Sequence, residues 1–352
     1  MTLTTRPLDP LLDLFDYRGQ RVDTFRFELR NGVTEETIRW LKPSKERPPS
    51  LSHNTTNSIK RQLSLSLGVD DTNTVNPVSD RVLPYAIIGG VTWPLGRYMF
   101  TDEADVQSTG GDRGDFTLLD EGNIIEQQLE KSFTSSASVN VAVIKLLTDI
   151  PIPGVNVEAS SFLATGSFTA GQNRGQALAA YATQGDYFPY WMNNLGIFRM
   201  IRTKDPGTSV PDLDYDAGNK VLRASRVKVS DILVAPNRFV VISNGNNAGA
   251  AEMVGTYDVP PSAPHSFANR GFILPSVTDM QLTSGAQASA AARNLGIRHT
   301  IFERIALTTT IDPRHDSYNV IRYLGSNWLE LTWTMELRPG GVMQHTMRKA
   351  YA

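Results

Sequence analysis

Residues 328–337 read Trp-Leu-Glu-Leu-Thr-Trp-Thr-Met-Glu-Leu, and the alternation in that run decides the fold class. Leu329, Leu331, Trp333, Met335 and Leu337 occupy every second position, opposite Trp328, Glu330, Thr332, Thr334 and Glu336. A period of two describes an antiparallel strand with one buried face, because successive side chains point to opposite sides of a sheet. The pattern recurs upstream. Phe25, Phe27 and Leu29 alternate with Arg26, Glu28 and Arg30, and Leu63, Leu65 and Leu67 alternate with Gln62, Ser64 and Ser66. Further strand candidates lie at 97–101, 221–229, 238–243 and 306–311. The chain is expected to be mainly β.

With 352 residues it is too long for one ordinary core and suits two or three domains. Apolar residues make up 40% and charged residues 20%, the balance of a folded chain rather than a disordered or fibrous one. The net charge of -2 argues against a dedicated nucleic-acid binder, which carries a basic excess to displace counterions from phosphates. The absence of cysteine excludes disulfides, thiol catalysis and thiolate metal sites. Asp9, Asp13 and Asp16 interrupt the N-terminal stretch, which has no signal-type apolar core, and no run approaches a membrane span. A product that stays where it is made, or assembles from there, is the expectation. Arg outnumbers Lys 25 to 9, which suits bidentate contacts at protein interfaces and equally a GC-rich genome.

Helical signal is confined to a few segments. Asn173 can cap a helix whose third residue is Gln176, with Leu178, Tyr181 and Ala182 on one face and Gly185 at its end. Positions 138–147 place Val139, Ala142, Val143 and Leu146 at helical spacing, and the alanine-rich 287–295 should be closed by Gly296. An aromatic hairpin is expected from 187–192 and 197–202, with Pro189 at an edge or bend. Two breaks divide the chain. In 102–122, seven acids (Asp102, Glu103, Asp105, Asp112, Asp115, Asp120, Glu121) face only Arg113, and glycines mark a surface loop or linker. The second break, 204–219, carries Pro206, Gly207, Pro211 and Gly218. The organisation that follows is a first β module (1–101), an acidic loop (102–122), an α+β middle domain (123–203), a linker (204–219) and a second β module (220–352). In fold terms, two β-barrel-like modules flank a small helix-plus-hairpin domain.

The usual catalytic signatures are missing: no nucleophile elbow, zincin helix, Walker loop or dinucleotide fingerprint. Residues 171–175 resemble a phosphate loop but lack its lysine, so a capped helix start accounts for them. Only Asp312-Pro313-Arg314-His315-Asp316 gathers ligand-type side chains; a polar turn between strands explains the same residues. The acidic stretch does not follow calcium-loop spacing. Tyr187, Phe188, Tyr190 and Trp191 could form a sugar platform, an interface anchor or the packing of a small sheet.

Several stretches resemble a known family. Residues 58–67 lead into Asp80-Arg81-Val82-Leu83-Pro84-Tyr85, and then into Trp93-Pro94-Leu95-Gly96-Arg97-Tyr98. The order is similar to the N-terminal part of tail-tip or baseplate hub proteins (minor tail proteins) of long-tailed bacteriophages. Residues 171–202, then Ala235-Pro236-Asn237-Arg238-Phe239-Val240-Val241, then Pro264-His265-Ser266 and Asn269-Arg270-Gly271, are similar to the same group. The resemblance implies a homotrimer whose protomers each contribute two β-barrel-like modules, so that three chains present six similar units to a hexameric tail tube around a DNA channel. It implies a virion structural protein at the tail tip, assembled in the host cytoplasm. Its partners would be further copies of itself, the distal tail protein or tail tube, the tape-measure protein and other tip or fibre proteins. DNA would be met only in transit, and no membrane insertion by this chain is implied.

On that reading the chain is a connector with no catalytic residue, no cofactor and no metal. The interface candidates are Leu63, Leu65, Leu67, Tyr187, Tyr190, Trp191, Leu331, Trp333 and Met335. Asp102, Glu103, Asp105, Asp112 and Asp115 are candidates for the channel lining, where acids would repel a phosphate backbone. The rival readings are a tail-associated peptidase or cell-wall hydrolase using Asp312, His315 and Asp316, and a glycan-binding module using Tyr187, Tyr190 and Trp191.

Overall fold

The computed structural model describes residues 23–101, 105–107, 113–216, 220–228, 234–243, 252–299 and 303–352. The alternating segments gather into one sheet of fifteen strands. From one edge its path runs Val221–Lys228, Glu303–Thr310, Val342–Lys349, Ser326–Glu336, Ser50–Asn54, Arg61–Gly68, Arg113–Asp120, Tyr98–Phe100, Asp80–Ile88, Asp23–Asn31 and Thr37–Leu41. The two stretches expected as separate β modules are therefore hydrogen-bonded to each other. The seam is the antiparallel pairing of Ser326–Glu336 with Ser50–Asn54, where Trp333 lies opposite His53. Their rings stack with centroids 5.1 Å apart, and the Arg61 guanidinium covers the Trp333 ring at 5.5 Å. Among the described residues the path stays open, with Thr37–Leu41 and Val221–Lys228 at its two ends.

The decisive strand carries a feature its alternation does not reveal. Against Val342–Lys349, Glu330 pairs with Met347 and Thr332 with Thr346, so Leu331 is skipped in a β-bulge. The extra residue reverses the parity. Trp328 and Glu330 lie on the same face as Trp333 and Met335, and all four are buried. The expected grouping of Leu331 with Trp333 is thus corrected. Leu331 is half-buried, and its carbonyl accepts from Thr55 N across the seam.

The acidic break also differs from its reading as a loop. Asp102, Glu103 and Asp112 lie outside the described residues, but Arg113–Asp120 is an interior strand paired with Arg61–Gly68, Tyr98–Phe100 and Asp105–Gln107. Phe116 and Leu118, two apart, supply the buried face that draws it into the sheet. The second break is partly structured too. Leu213–Asp214 pairs in parallel with Val320–Tyr323, and the Asn327 amide donates to the Pro206 and Ser209 carbonyls.

The middle region follows its local signals closely. The Asn173 side chain accepts from Gln176 N at the start of the helix Arg174–Gln184. The helix Val139–Leu146 buries Val139, Ala142, Val143 and Leu146, the four residues set at helical spacing. Trp191–Met192 and Phe198–Met200 form the hairpin. A separate three-stranded sheet, Met253–Asp258, Arg238–Ser243 and Pro275–Asp279, is covered by the helix Gly285–His299. That helix runs through Gly296 instead of ending there. A Cβ at Gly296 would come within 2.1 Å of the Tyr257 ring, so the glycine serves close packing. Gly255 does the same from the strand side, where a Cβ would meet the Ala288 backbone at 2.0 Å.

Candidate functional site

The interface candidates are mostly inside the chain's own cores. Leu63, Leu65 and Leu67 pack with Phe27, Leu29, Leu51 and Leu118, and Trp333 and Met335 complete that cluster. Tyr187 and Tyr190 belong to the middle core, and Trp191 packs with Phe188, Tyr318 and Leu329. Side chains enclosed in this way stabilise the protomer, roughly 1.5–3 kcal/mol for each large one, and offer no area to a neighbour. Tyr187, Tyr190 and Trp191 are at most 6% exposed, so their rings do not form an open platform on the surface. Among the exposed apolar side chains are two on the edge strand Thr37–Leu41. There Ile38 and Trp40 are 46% and 48% exposed, and the Arg26 guanidinium lies 5.9 Å from the Trp40 ring. Trp40 stands in a run too short for alternation to single it out.

The acids are also occupied. Asp115 pairs with Arg47 and accepts from Ser66. Asp120 accepts from the backbone of Arg61 at 3.0 Å and of Gly122 at 2.9 Å, and burial pushes its carboxyl up to about 6. Glu121 takes Arg97 at 3.0 Å and Arg81 at 3.5 Å. Of the seven acids in 102–122, these three have a described side chain, and each is held by partners within the fold. Two of them, Asp120 and Glu121, are only 2% exposed, so they add little to a repelling wall.

The turn at 312–316 organises a polar core instead of an open catalytic cleft. Asp312 holds Arg314, and Asp316 accepts from Arg61 at 2.7 Å and from the Trp191 indole at 2.8 Å. His315 points inward. Its Nδ1 lies 2.8 Å from Glu330 Oε2, and its Nε2 lies 2.5 Å from the Tyr215 hydroxyl. The other carboxylate oxygen of Glu330 lies 2.7 Å from His345 Nδ1, and His345 Nε2 is 2.8 Å from Thr309 Oγ1. Burial pushes Glu330 up to about 7, against the pull of His345, while burial drives His345 below its usual value. Both aspartates of the turn are thus counterions, and neither is a free base. Glu330 and His345 escaped the sequence reading because each is 15 residues from its partner or more and because the bulge at Leu331 reverses the face of Glu330.

A cavity of about 510 Å³ opens where all three regions of the chain meet, lined among others by Lys60, Glu126, Phe188, Tyr190, Arg298, Tyr318 and Leu331. The Lys60 ammonium donates to the Thr55 and Asn57 carbonyls, and burial lowers it to about 8. Phe188 and Tyr318 stack at 4.3 Å on its wall.

No protein-family model matches the chain, and no curated protein matches it in sequence. Solved structures match it along nearly its whole length. The tail protein from Neisseria meningitidis MC58 is 12% identical with a TM-score of 0.61, over 93% of this chain and 96% of that one. The 43 kDa tail protein of prophage MuSo2 from Shewanella oneidensis is 11% identical with a TM-score of 0.58, over 93% and 98%. The prophage tail protein gp18 from Listeria monocytogenes EGD-e is 7% identical with a TM-score of 0.60, over 92% and 94%. The likeness is one of fold, at 7–12% residue identity. The chain has the fold of these tail proteins.

Proposed function

We propose that this chain is a structural component of a phage-type tail tip. It is a hub that forms a trimeric ring, joins a hexameric tail tube to more distal tip proteins and encloses the channel used by DNA. The observation that carries the reading is the end-to-end match to three tail proteins, each covered over at least 94% of its own length. The shared sheet supports it as well. One chain supplies two β halves fixed to each other by the seam at Trp333 and His53, so three chains offer six halves to a six-fold tube. The open edges at Thr37–Leu41 and Val221–Lys228 sit at opposite ends of the sheet, as a head-to-tail contact needs. No catalytic residue is assigned, because the carboxylates of the 312–316 turn are bound as counterions.

Cryo-microscopy of the chain co-expressed with its tube protein tests this. Three copies around an open bore at the tube end are expected. A chain found only as an isolated monomer, absent from assembled tips, refutes the proposal. Trp40→Glu on the exposed edge should leave the protomer folded and reduce ring formation at least tenfold.

A further inference from the structure

We infer that the cavity where the three regions of the chain meet binds a small organic anion, a carboxylate or phosphate group carried on a planar apolar body. The charges on its wall are out of balance. Lys60 reaches it from the N-terminal half, Arg298 from the last turn of the helix Gly285–His299 and Arg304 from the strand Glu303–Thr310. Among the described residues none of these three cations forms an ion pair. Glu126 is the one carboxylate lining the cavity, and it already has partners. It packs on the first turn of the helix Arg174–Gln184, where a Cβ at Gly175 would come within 2.2 Å of it, and it accepts from the Tyr190 hydroxyl at 2.5 Å.

The donors on the wall suit an oxyanion. The Lys60 ammonium carries three hydrogens and gives two, to the Thr55 carbonyl at 3.0 Å and the Asn57 carbonyl at 2.8 Å, which leaves the third for a ligand. Arg304 Nε is buried without a hydrogen-bond partner, and Arg298 makes no hydrogen bond to a described residue. Burial disfavours the charged forms of Lys60 and Arg298, and the two repel each other, so an anion seated between them removes a cost the empty wall carries. Shape then selects the body of that anion. About 510 Å³ lies in the range of small-molecule sites, roughly 300–1,000 Å³, and far exceeds what a lone inorganic ion fills. Phe188 and Tyr318, stacked 4.3 Å apart, form an apolar wall with Leu329 and Leu331. Tyr318 has φ +58°, a left-handed backbone that a bulky residue rarely adopts, and strain of that kind gathers at ligand clamps. Lys60 Nζ lies 5.9 Å from the centre of the Tyr318 ring, so a ligand's charge and its apolar body find their contacts side by side.

Isothermal titration of the full-length chain with phenyl phosphate provides the test. Inorganic phosphate (charge without the body) and benzyl alcohol (body without the charge) are the comparisons. Phenyl phosphate is expected to bind at one site with a Kd at or below about 1 mM and to raise the thermal midpoint, and each comparison should bind at least about tenfold more weakly. Arg298→Gln and Arg304→Gln should each weaken phenyl phosphate at least about tenfold, whereas Arg338→Gln, which does not line the cavity, should leave it unchanged. No saturable binding up to about 10 mM overturns the inference. So does benzyl alcohol bound as tightly as phenyl phosphate, or undiminished binding by folded Arg298→Gln and Arg304→Gln chains. A crystal structure of the wild-type complex with the phosphate group away from Lys60 and Arg298 overturns it too, whether or not the variants fold. None of these outcomes depends on ring formation, so the tail-tip proposal stands or falls separately.

Discussion

The two halves of the large sheet bury their inner faces by different means. In the N-terminal half, Phe27, Leu29, Leu51, Leu63, Leu65, Leu67, Val82 and Leu118 form a core that is almost wholly apolar. In the C-terminal half a smaller apolar cluster around Trp328, Ile305 and Met347 lies beside the fully buried His315, Glu330 and His345. An apolar core is non-directional, so its cost of change follows volume and cavity. A polar core is directional, and removing one member leaves the others desolvated without a partner. Where the halves join, Arg61 belongs to both: its side chain is fully enclosed, lies over Trp333 and holds Asp316.

That contrast can be broken most severely at Arg61. Arg61→Met should cost about 3–5 kcal/mol in urea unfolding, since it removes the charged partner of Asp316 and leaves that carboxylate with the neutral Trp191 and Ser317 donors. The double change Arg61→Met with Asp316→Leu should recover more than half of the loss; no recovery would mean that packing rather than charge makes the seam. On the apolar side, Leu63→Ala should cost about 3 kcal/mol, whereas Leu63→Met should stay under about 1.5 kcal/mol. Equal penalties for the two would show that the core is as directional as its counterpart.

The pH dependence gives a smaller effect with a definite sign. Burial, with Arg61 and Lys60 nearby, holds His53 well below 6.5. The folded chain refuses a proton that the unfolded chain accepts, so the His53 contribution is whole above pH 6.5 and drains as the pH falls below it. The slope is at most about 1.4 kcal/mol per pH unit. His53→Phe keeps a ring against Trp333 and should flatten that slope between pH 6.5 and 5, measured by urea midpoints. Smallest is Asn173→Ala, in neither half, which removes a helix cap for about 1 kcal/mol. Its effect should add to that of Leu63→Ala within about 0.5 kcal/mol, because the two sites share no partner.

The legible parts of the molecule are those whose signal is local. Alternation at 24–30 and 62–67 marks the strands Asp23–Asn31 and Arg61–Gly68, and the spacing of Val139, Ala142, Val143 and Leu146 marks a helix and its buried face. The strand Arg113–Asp120 was hidden by its acids, because Asp120 and Glu121 find their partners, Arg61 and Arg97, only after the sheet has formed. Gly296 read as a terminator because a glycine after an alanine-rich run has that meaning in isolation; the Tyr257 ring supplies another. The polar core was half visible, through His315 and its neighbouring aspartates.

The sequence by itself determined that the chain is mainly β, where most strands lie and where the capped helix of the middle region begins, since each of these depends on which side of a short segment meets water. Only the tertiary structure decided that Glu330 faces inward with Trp333, that both β halves share one sheet, and that the Leu63 strand fills a core instead of a surface. Register belongs to a pair of strands. One skipped residue at Leu331 reverses every side chain on one side of it, and that choice is made by the partner strand Val342–Lys349, whose pairing no periodicity within 328–337 can specify.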